Sequence, residues 1–243
     1  MAKSGSTLGY ELVKGVLMSA GHSQKKVNCA AMKPRGRGNH IAELSREAIL
    51  DAVDTIGPAR IVAAKTHRPL PADMFSWMED MQAARKVQVF ASYRDPRDIC
   101  LSLIDHGARA REAGRSDFAH VDDLADAADM VSRAILKFRR WASLAGTEKL
   151  YFDTVAFEPD TAISRIEHVL GVTADHDAVK HHAFEDAFTQ KNKARKHRFE
   201  DELDDAQKRE LAKRFAGFIE HACQSDDPAW FAACREQMLA NVA

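Results

Sequence analysis

Seven residues, Val87-Gln88-Val89-Phe90-Ala91-Ser92-Tyr93, make an apolar run of strand length, and a helix start follows almost at once. Asp95 suits a helix N-cap, Pro96 suits the first helical position, and Asp98 is spaced to close a capping box. Ile99, Leu101, Leu103 and Ile104 carry the helix onward. A strand that hands over directly to a helix does not return as a hairpin. Its next strand arrives by a crossover and pairs in parallel.

The rest of the chain repeats this grammar. Leu8, Leu12, Val13, Val16 and Leu17 predict a helix over Thr7–Ala20. Ser23–His40 carries Lys25, Lys26, Lys33, Arg35 and Arg37 with glycine and proline, and reads as a mobile basic loop. Glu43–Thr55 reads as helix and Arg60–Lys65 as a strand. A long helix is expected over Val121–Leu144, a third strand over Lys149–Phe152, and a helix over Glu158–Leu170 that Gly171 stops. Asp175–Phe188 and Glu202–Cys223 complete the helical stretches. Alternating strands and helices predict an α/β fold with a parallel sheet. With 243 residues and no internal repeat, low-complexity tract or linker, the expectation is a single domain over 1–243.

Charge and cysteine usage narrow the function classes. The formal net charge of −1 gives no global attraction to nucleic acid or anionic lipid, so any polyanion site must be a local basic pocket. Cys29, Cys100, Cys223 and Cys234 form no C-x-x-C pair and no zinc-finger spacing. Together with a start that lacks the apolar core of a signal peptide, this predicts a reduced, cytoplasmic protein. No apolar run is long enough to span a bilayer.

Two segments carry phosphate chemistry. Lys3-Ser4-Gly5-Ser6-Thr7 opens the first helix. Small residues let backbone N–H groups converge, the helix dipole adds positive potential, Lys3 adds a charge, and Ser6 and Thr7 add hydroxyls. Alone, the segment reads first as a flexible start before an N-capped helix, because short Ser/Gly runs are common. It is not a Walker A loop, because its lysine precedes the glycine. The second segment is Tyr93-Arg94-Asp95-Pro96-Arg97-Asp98, at a strand's carboxyl end, where open α/β sheets bind ligands. Arg94 suits a forked phosphate contact and Ser102 adds a hydroxyl one helix segment later, whereas Asp95, Pro96 and Asp98 read as capping residues.

In combination these motifs resemble the sulfotransferases that use 3′-phosphoadenosine 5′-phosphosulfate (PAPS). K-S-G-S-T is similar to that family's 5′-phosphosulfate loop, and Y-R-D-P-R-D-I-C-L-S to its 3′-phosphate segment, with Arg94 and Ser102 at the arginine and serine positions. Lys65-Thr66-His67-Arg68-Pro69-Leu70 resembles the family's K-T-H-x-P-L segment, whose histidine is the catalytic base. Tyr151-Phe152-Asp153 and Ala183-Phe184-Glu185 resemble two later segments whose aromatics pack on adenine, which nominates Tyr151 and Phe184. Lys196-His197-Arg198-Phe199 falls where the family carries a basic loop.

The resemblance implies a three-layer α/β/α fold of the P-loop type, with PAPS as sulfuryl donor and no metal. The implied site is Lys3, Ser4, Gly5, Ser6, Thr7, Arg94, Ser102, Tyr151, Phe184 and Lys196 on the nucleotide, with His67, Lys3 and Lys65 catalytic. The acceptor is left open among small molecules, carbohydrates and lipids. The chain departs from the pattern in four places. No strand precedes the phosphate loop, Ala2 replaces a proline, Leu8 replaces an adenine-contacting tryptophan, and Lys191–Lys196 lacks glycine. Two other readings compete. A P-loop kinase should show a Walker lysine and an acidic magnesium ligand at a strand end, and neither is seen in the sequence. A non-catalytic, sulfotransferase-like binding module would fit the missing strand.

Overall fold

The computed structural model describes residues 1, 3–33, 38–187 and 195–240. The first helix, α1 (Ser6–Ser19), begins after Gly5, whose φ of 75° is the left-handed turn that glycine adopts without strain. Helix α2 (Arg46–Ile56) is capped by the Ser45 side chain, which accepts from the Ala48 N–H. Helix α3 (Phe75–Ala83) follows, then strand β1 (Phe90–Tyr93) and helix α4 (Pro96–Glu112). The expected handover after Tyr93 is present: Pro96 opens α4 and Asp95 accepts from the Arg97 N–H at 2.9 Å. Asp98 does not close a capping box. Its carboxylate instead holds Arg94 and the Phe199 N–H.

Helix α5 (Leu124–Ala142) leads to strand β2 (Glu148–Tyr151). The two strands pair in parallel, with Phe90 opposite Glu148 and Tyr93 opposite Tyr151, so α4 and α5 form the crossover. Side chains alternate across this small sheet. Ala91, Tyr93 and Tyr151 face a core built with Ile99, Leu103, Val131 and Phe138 of α4 and α5. Phe90 and Leu150 face Leu12, Val13 and Val16 of α1. Ile163 and Ile166 of helix α7 (Pro159–Leu170) join that second core, and Gly171 ends α7 at φ 66°. Helices therefore cover both faces of a two-stranded parallel sheet, in a chain that is mostly helical.

Between β2 and α7 lies a short helix, α6 (Phe152–Phe157), so the expected third strand ends one residue early and Phe152 starts a helix. Helix α8 (His176–His181) runs into a π-turn, His182–Asp186, where one continuous helix was expected. The expected helix over Glu202–Cys223 is broken into α10 (Asp205–Arg214), α11 (Ala216–Phe218) and a second π-turn, Ile219–Gln224. A short α9 (Arg198–Glu202) precedes them and α12 (Pro228–Ala240) follows.

One expected strand is absent. Arg60–Lys65 makes only an isolated bridge between His40 and Lys65. Side-chain amides take the place of a neighbouring strand there. Gln24 bonds the Ile61 carbonyl and the Ala63 N–H at 2.8 and 2.9 Å, and Asn39 donates to the Ala63 carbonyl at 3.3 Å. The segment's polar backbone is satisfied without a ladder, so nothing forces it into the sheet. No described helix is long and apolar enough to cross a membrane.

Candidate functional site

The Lys3–Thr7 loop lies at the carboxyl end of β1. Ser4 is buried, and its hydroxyl donates to the Ser92 carbonyl at 3.2 Å and to the Met1 carbonyl at 2.7 Å. Ser4 is thus an anchor for the loop. Gly5 is pressed against the Phe152 ring so closely that a Cβ would collide with it. Ser6 and Thr7 begin α1, and the Thr7 hydroxyl accepts from the Lys65 ammonium at 3.0 Å. This bond ties the K-T-H segment to the Lys3–Thr7 loop. Burial lowers the pKa of Lys65, and Glu11 partly opposes the shift.

Lys3 reaches across to α4. Its Nζ donates to His106 Nδ1 at 3.0 Å. Burial first, then the nearby Arg109, lower its pKa to about 8, with Asp105 opposing. Burial and the Lys3 charge also lower the pKa of His106, so the imidazole is the neutral acceptor of this bond.

Arg94 is buried just past the end of β1. Its Nη2 donates to Asp98 Oδ2 at 2.8 Å and to the Arg195 carbonyl at 3.0 Å, and its guanidinium lies over the Phe152 ring, 4.1 Å from the centroid. Its buried Nε has no hydrogen-bond partner among the described residues. An unmet buried donor is costly, and an added oxygen acceptor is the chemistry that would relieve it.

Helix α4 connects the two cationic positions. Asp98, Ser102 and His106 are spaced by four and share one helix face. Arg94 bonds to the first and Lys3 to the last. Eight residues of helix set these two contacts about 12 Å apart along the axis. Buried Ser102 lies midway between them. Phe152 bridges the same two groups from the opposite side, touching Gly5 and Arg94 at once.

His67 follows Lys65, and its ring centroid is 6.0 Å from that of His40. Crowding by protein atoms, together with the positive charges of the amino terminus and Lys65, pushes its pKa down to about 4. The ring keeps an exposed side, so water offsets part of the burial effect. The direction of the shift leaves His67 neutral at pH 7, the form that accepts a proton.

The remaining nominated residues lie farther out. Tyr151 turns toward the α4–α5 core, its ring 5.0 Å from Tyr93, and the next residue, Phe152, faces the loop. Phe184 packs at the edge of the α1–α7 core. It lines a hollow of about 390 Å³ with Ala156, Pro159, Lys180, His181 and Glu185. A second hollow, between Glu148 and His168, contains none of the nominated residues. Lys196 is exposed, 3.4 Å from Glu158 and over the Phe157 ring, which in turn packs edge-on against Phe152. Arg198 is fully buried in ion pairs with Asp105 and Glu202. Residues 191–194 of the basic loop and Ala2 lie outside the described residues.

Sequence reading did not nominate His106 or Phe152. The four-residue step from Ser102 was a signal for His106. Alternation beyond Tyr151 was a signal for Phe152.

No family model, curated protein or solved structure matches the chain. The case for function therefore rests on the motifs and the site.

Proposed function

We propose that the chain is a PAPS-dependent sulfotransferase with a three-layer α/β/α core of the P-loop type. The observation that carries the reading is the shared face of α4. Through His106 and Asp98 it joins the Lys3 loop to Arg94, the two positions that the motifs assign to the two phosphates. The order of K-S-G-S-T, K-T-H-R-P-L and R-D-P-R-D along the chain supports it. The unmet Nε of Arg94 supports it as well.

In this reading the acceptor oxygen attacks the sulfur in line. The new O–S bond forms as the bond from sulfur to the 5′-phosphate oxygen breaks. The acceptor proton passes to neutral His67, and negative charge collects on the departing phosphate, beside Lys3 and Lys65. By analogy with phosphoryl transfer, positioning and charge stabilisation supply most of the catalysis. Ser4 holds the loop, while Gly5, Ser6 and Thr7 present N–H and hydroxyl donors to the 5′ end. Arg94 and Ser102 serve the 3′-phosphate. Phe152 takes the place nominated for Tyr151 as the aromatic beside the loop.

Arg94 holds Asp98 and the Arg195 carbonyl through Nη2, so in this reading a phosphate oxygen adds at the unmet Nε or exchanges for one of these partners. The test is transfer of labelled sulfate from PAPS to a panel of phenols, alcohols, amines and sugars. Label in an acceptor with the wild-type protein, lost in His67→Ala, supports the reading. If the protein binds 3′,5′-bisphosphoadenosine yet labels nothing, the reading falls to a non-catalytic binding module.

A further inference from the structure

The surface around His67 carries a concentration of positive charge that the ion pairs of the fold do not neutralise. The Lys33 N–H bonds to the His40 carbonyl at 2.8 Å, and His40 bridges to Lys65. His67 and Arg68 follow Lys65 directly. Helix α5 closes the other side: Trp141 donates to the Arg68 carbonyl at 2.9 Å and Arg140 to the Leu70 carbonyl at 3.1 Å. Lys137 lies one turn back on the same helix face. Lys33, Lys65, Arg68 and Lys137 are the charged side chains that bear on the two imidazoles, and all are cationic.

Lys33, Arg68 and Lys137 are exposed, and none of the three forms an ion pair among the described residues. Several other surface cations are matched, Arg195 with Asp201, Arg214 with Asp129, Lys180 with Asp160 and Arg235 with Glu79, while Lys25, Lys86 and Arg133 are exposed without an ion pair among the described residues but bear on neither imidazole. In a chain of 35 basic and 36 acidic residues, Lys33 and Arg68 beside His40, with Lys137 beside His67, form a ring of cations around two imidazoles 6.0 Å apart, a local field that the overall balance does not explain.

We propose that this ring is the acceptor subsite and that it selects a small hydroxyl compound carrying an anionic group, a carboxylate or a sulfate ester. The proposal rests on the sulfotransferase reading. Lys33, Arg68 and Lys137 hold the anion, and the hydroxyl is presented to His67. The same charges repel a cationic acceptor amine, which removes amines from the acceptor classes.

The test follows the His40 and His67 ring proton resonances of the full chain, with and without saturating 3′,5′-bisphosphoadenosine. The titrants are 4-hydroxybenzoate, 4-hydroxyphenyl sulfate and the neutral methyl 4-hydroxybenzoate. The expected result is saturable shifts from at least one anion, with the neutral ester weaker and the two anions ranked by which group the ring prefers. Lys33→Ala and Arg68→Ala should each weaken the anion about threefold and the double variant about tenfold, because the pairs are exposed. Added salt should weaken it in the same direction.

Equal binding of the neutral ester, no binding of any probe, or unchanged affinity in the double variant overturns the proposal. Failure of 3′,5′-bisphosphoadenosine to bind, with anion binding intact, instead overturns the sulfotransferase reading and leaves an anion site.

Discussion

The Lys3 ammonium donates to His106 Nδ1 at 3.0 Å, which fixes the Lys3–Thr7 loop against α4. In the proposed reading Lys3 faces the 5′-phosphate, and its pKa is lowered to about 8. Below that pH it is charged and above it neutral. Affinity for 3′,5′-bisphosphoadenosine should therefore decline as pH rises through about 8, where an ordinary lysine would stay charged to about 10. Lys3→Arg should bind with a flat profile over that range. Calorimetric titrations from pH 6.5 to 9.5 check both expectations.

His67 gives the opposite limb. Its pKa is lowered from 6.5 to about 4, so the proposed base is neutral well below the usual histidine range. Turnover should hold as pH falls through 6.5 and drop only on approach to about 4 to 5, in the direction of that shift. His67→Ala should bind nucleotide normally and transfer sulfate about 10²- to 10⁴-fold more slowly, the usual worth of a general base. The same shift has a stability sign. The fold disfavours the imidazolium, so this group's contribution is present above the unfolded value of 6.5 and is lost as pH falls toward the folded value.

Gly5 combines a left-handed φ of 75° with direct contact against Phe152. Gly5→Ala should cost about 1–2 kcal/mol from the backbone alone, and more from the collision. Phe152→Ala should relieve the collision, so the double variant should be more stable than the sum of the two single losses predicts. Urea unfolding of the four proteins measures the coupling.

Arg94 and Asp98 are both buried, and the pair is closed at 2.8 Å. Asp98→Ala leaves the guanidinium uncompensated and should destabilise the protein by about 3–5 kcal/mol. If Arg94 is the 3′-phosphate ligand, saturating 3′,5′-bisphosphoadenosine resupplies the missing acceptor. The ligand-induced rise in Tm should then be larger for Asp98→Ala than for wild type. An equal or smaller rise argues that Arg94 serves only the fold.

Much of the local architecture was legible in the sequence. Asp95 and Pro96 announced the start of α4, Gly171 announced the end of α7, and apolar spacing located α1 and α5 to within a few residues. These signals are local, since a cap or a stop needs only its own neighbours. Arg60–Lys65 had strand composition but found the amides of Gln24 and Asn39 instead of a strand partner. A bond between a segment and distant side chains has no sequence signature.

The π-turns that break two expected helices are likewise set by packing, as with Ala183 and Ala222, each buried at such a turn. At the site, the loop, Arg94 and His67 were legible as motifs. Whether Tyr151 or Phe152 faced the loop depended on the strand's last register position, which the structure places at Tyr151 opposite Tyr93.

The most direct measurement is calorimetric titration, without added metal, of 3′,5′-bisphosphoadenosine into the wild-type protein, Lys3→Ala and Arg94→Ala. Loss of a charged phosphate contact costs about 1.5–3 kcal/mol, so each variant should bind about 10- to 100-fold more weakly than wild type. A wild-type protein that does not bind the nucleotide, or variants that bind it as tightly as wild type, would contradict the assignment of these two cations to the two phosphates.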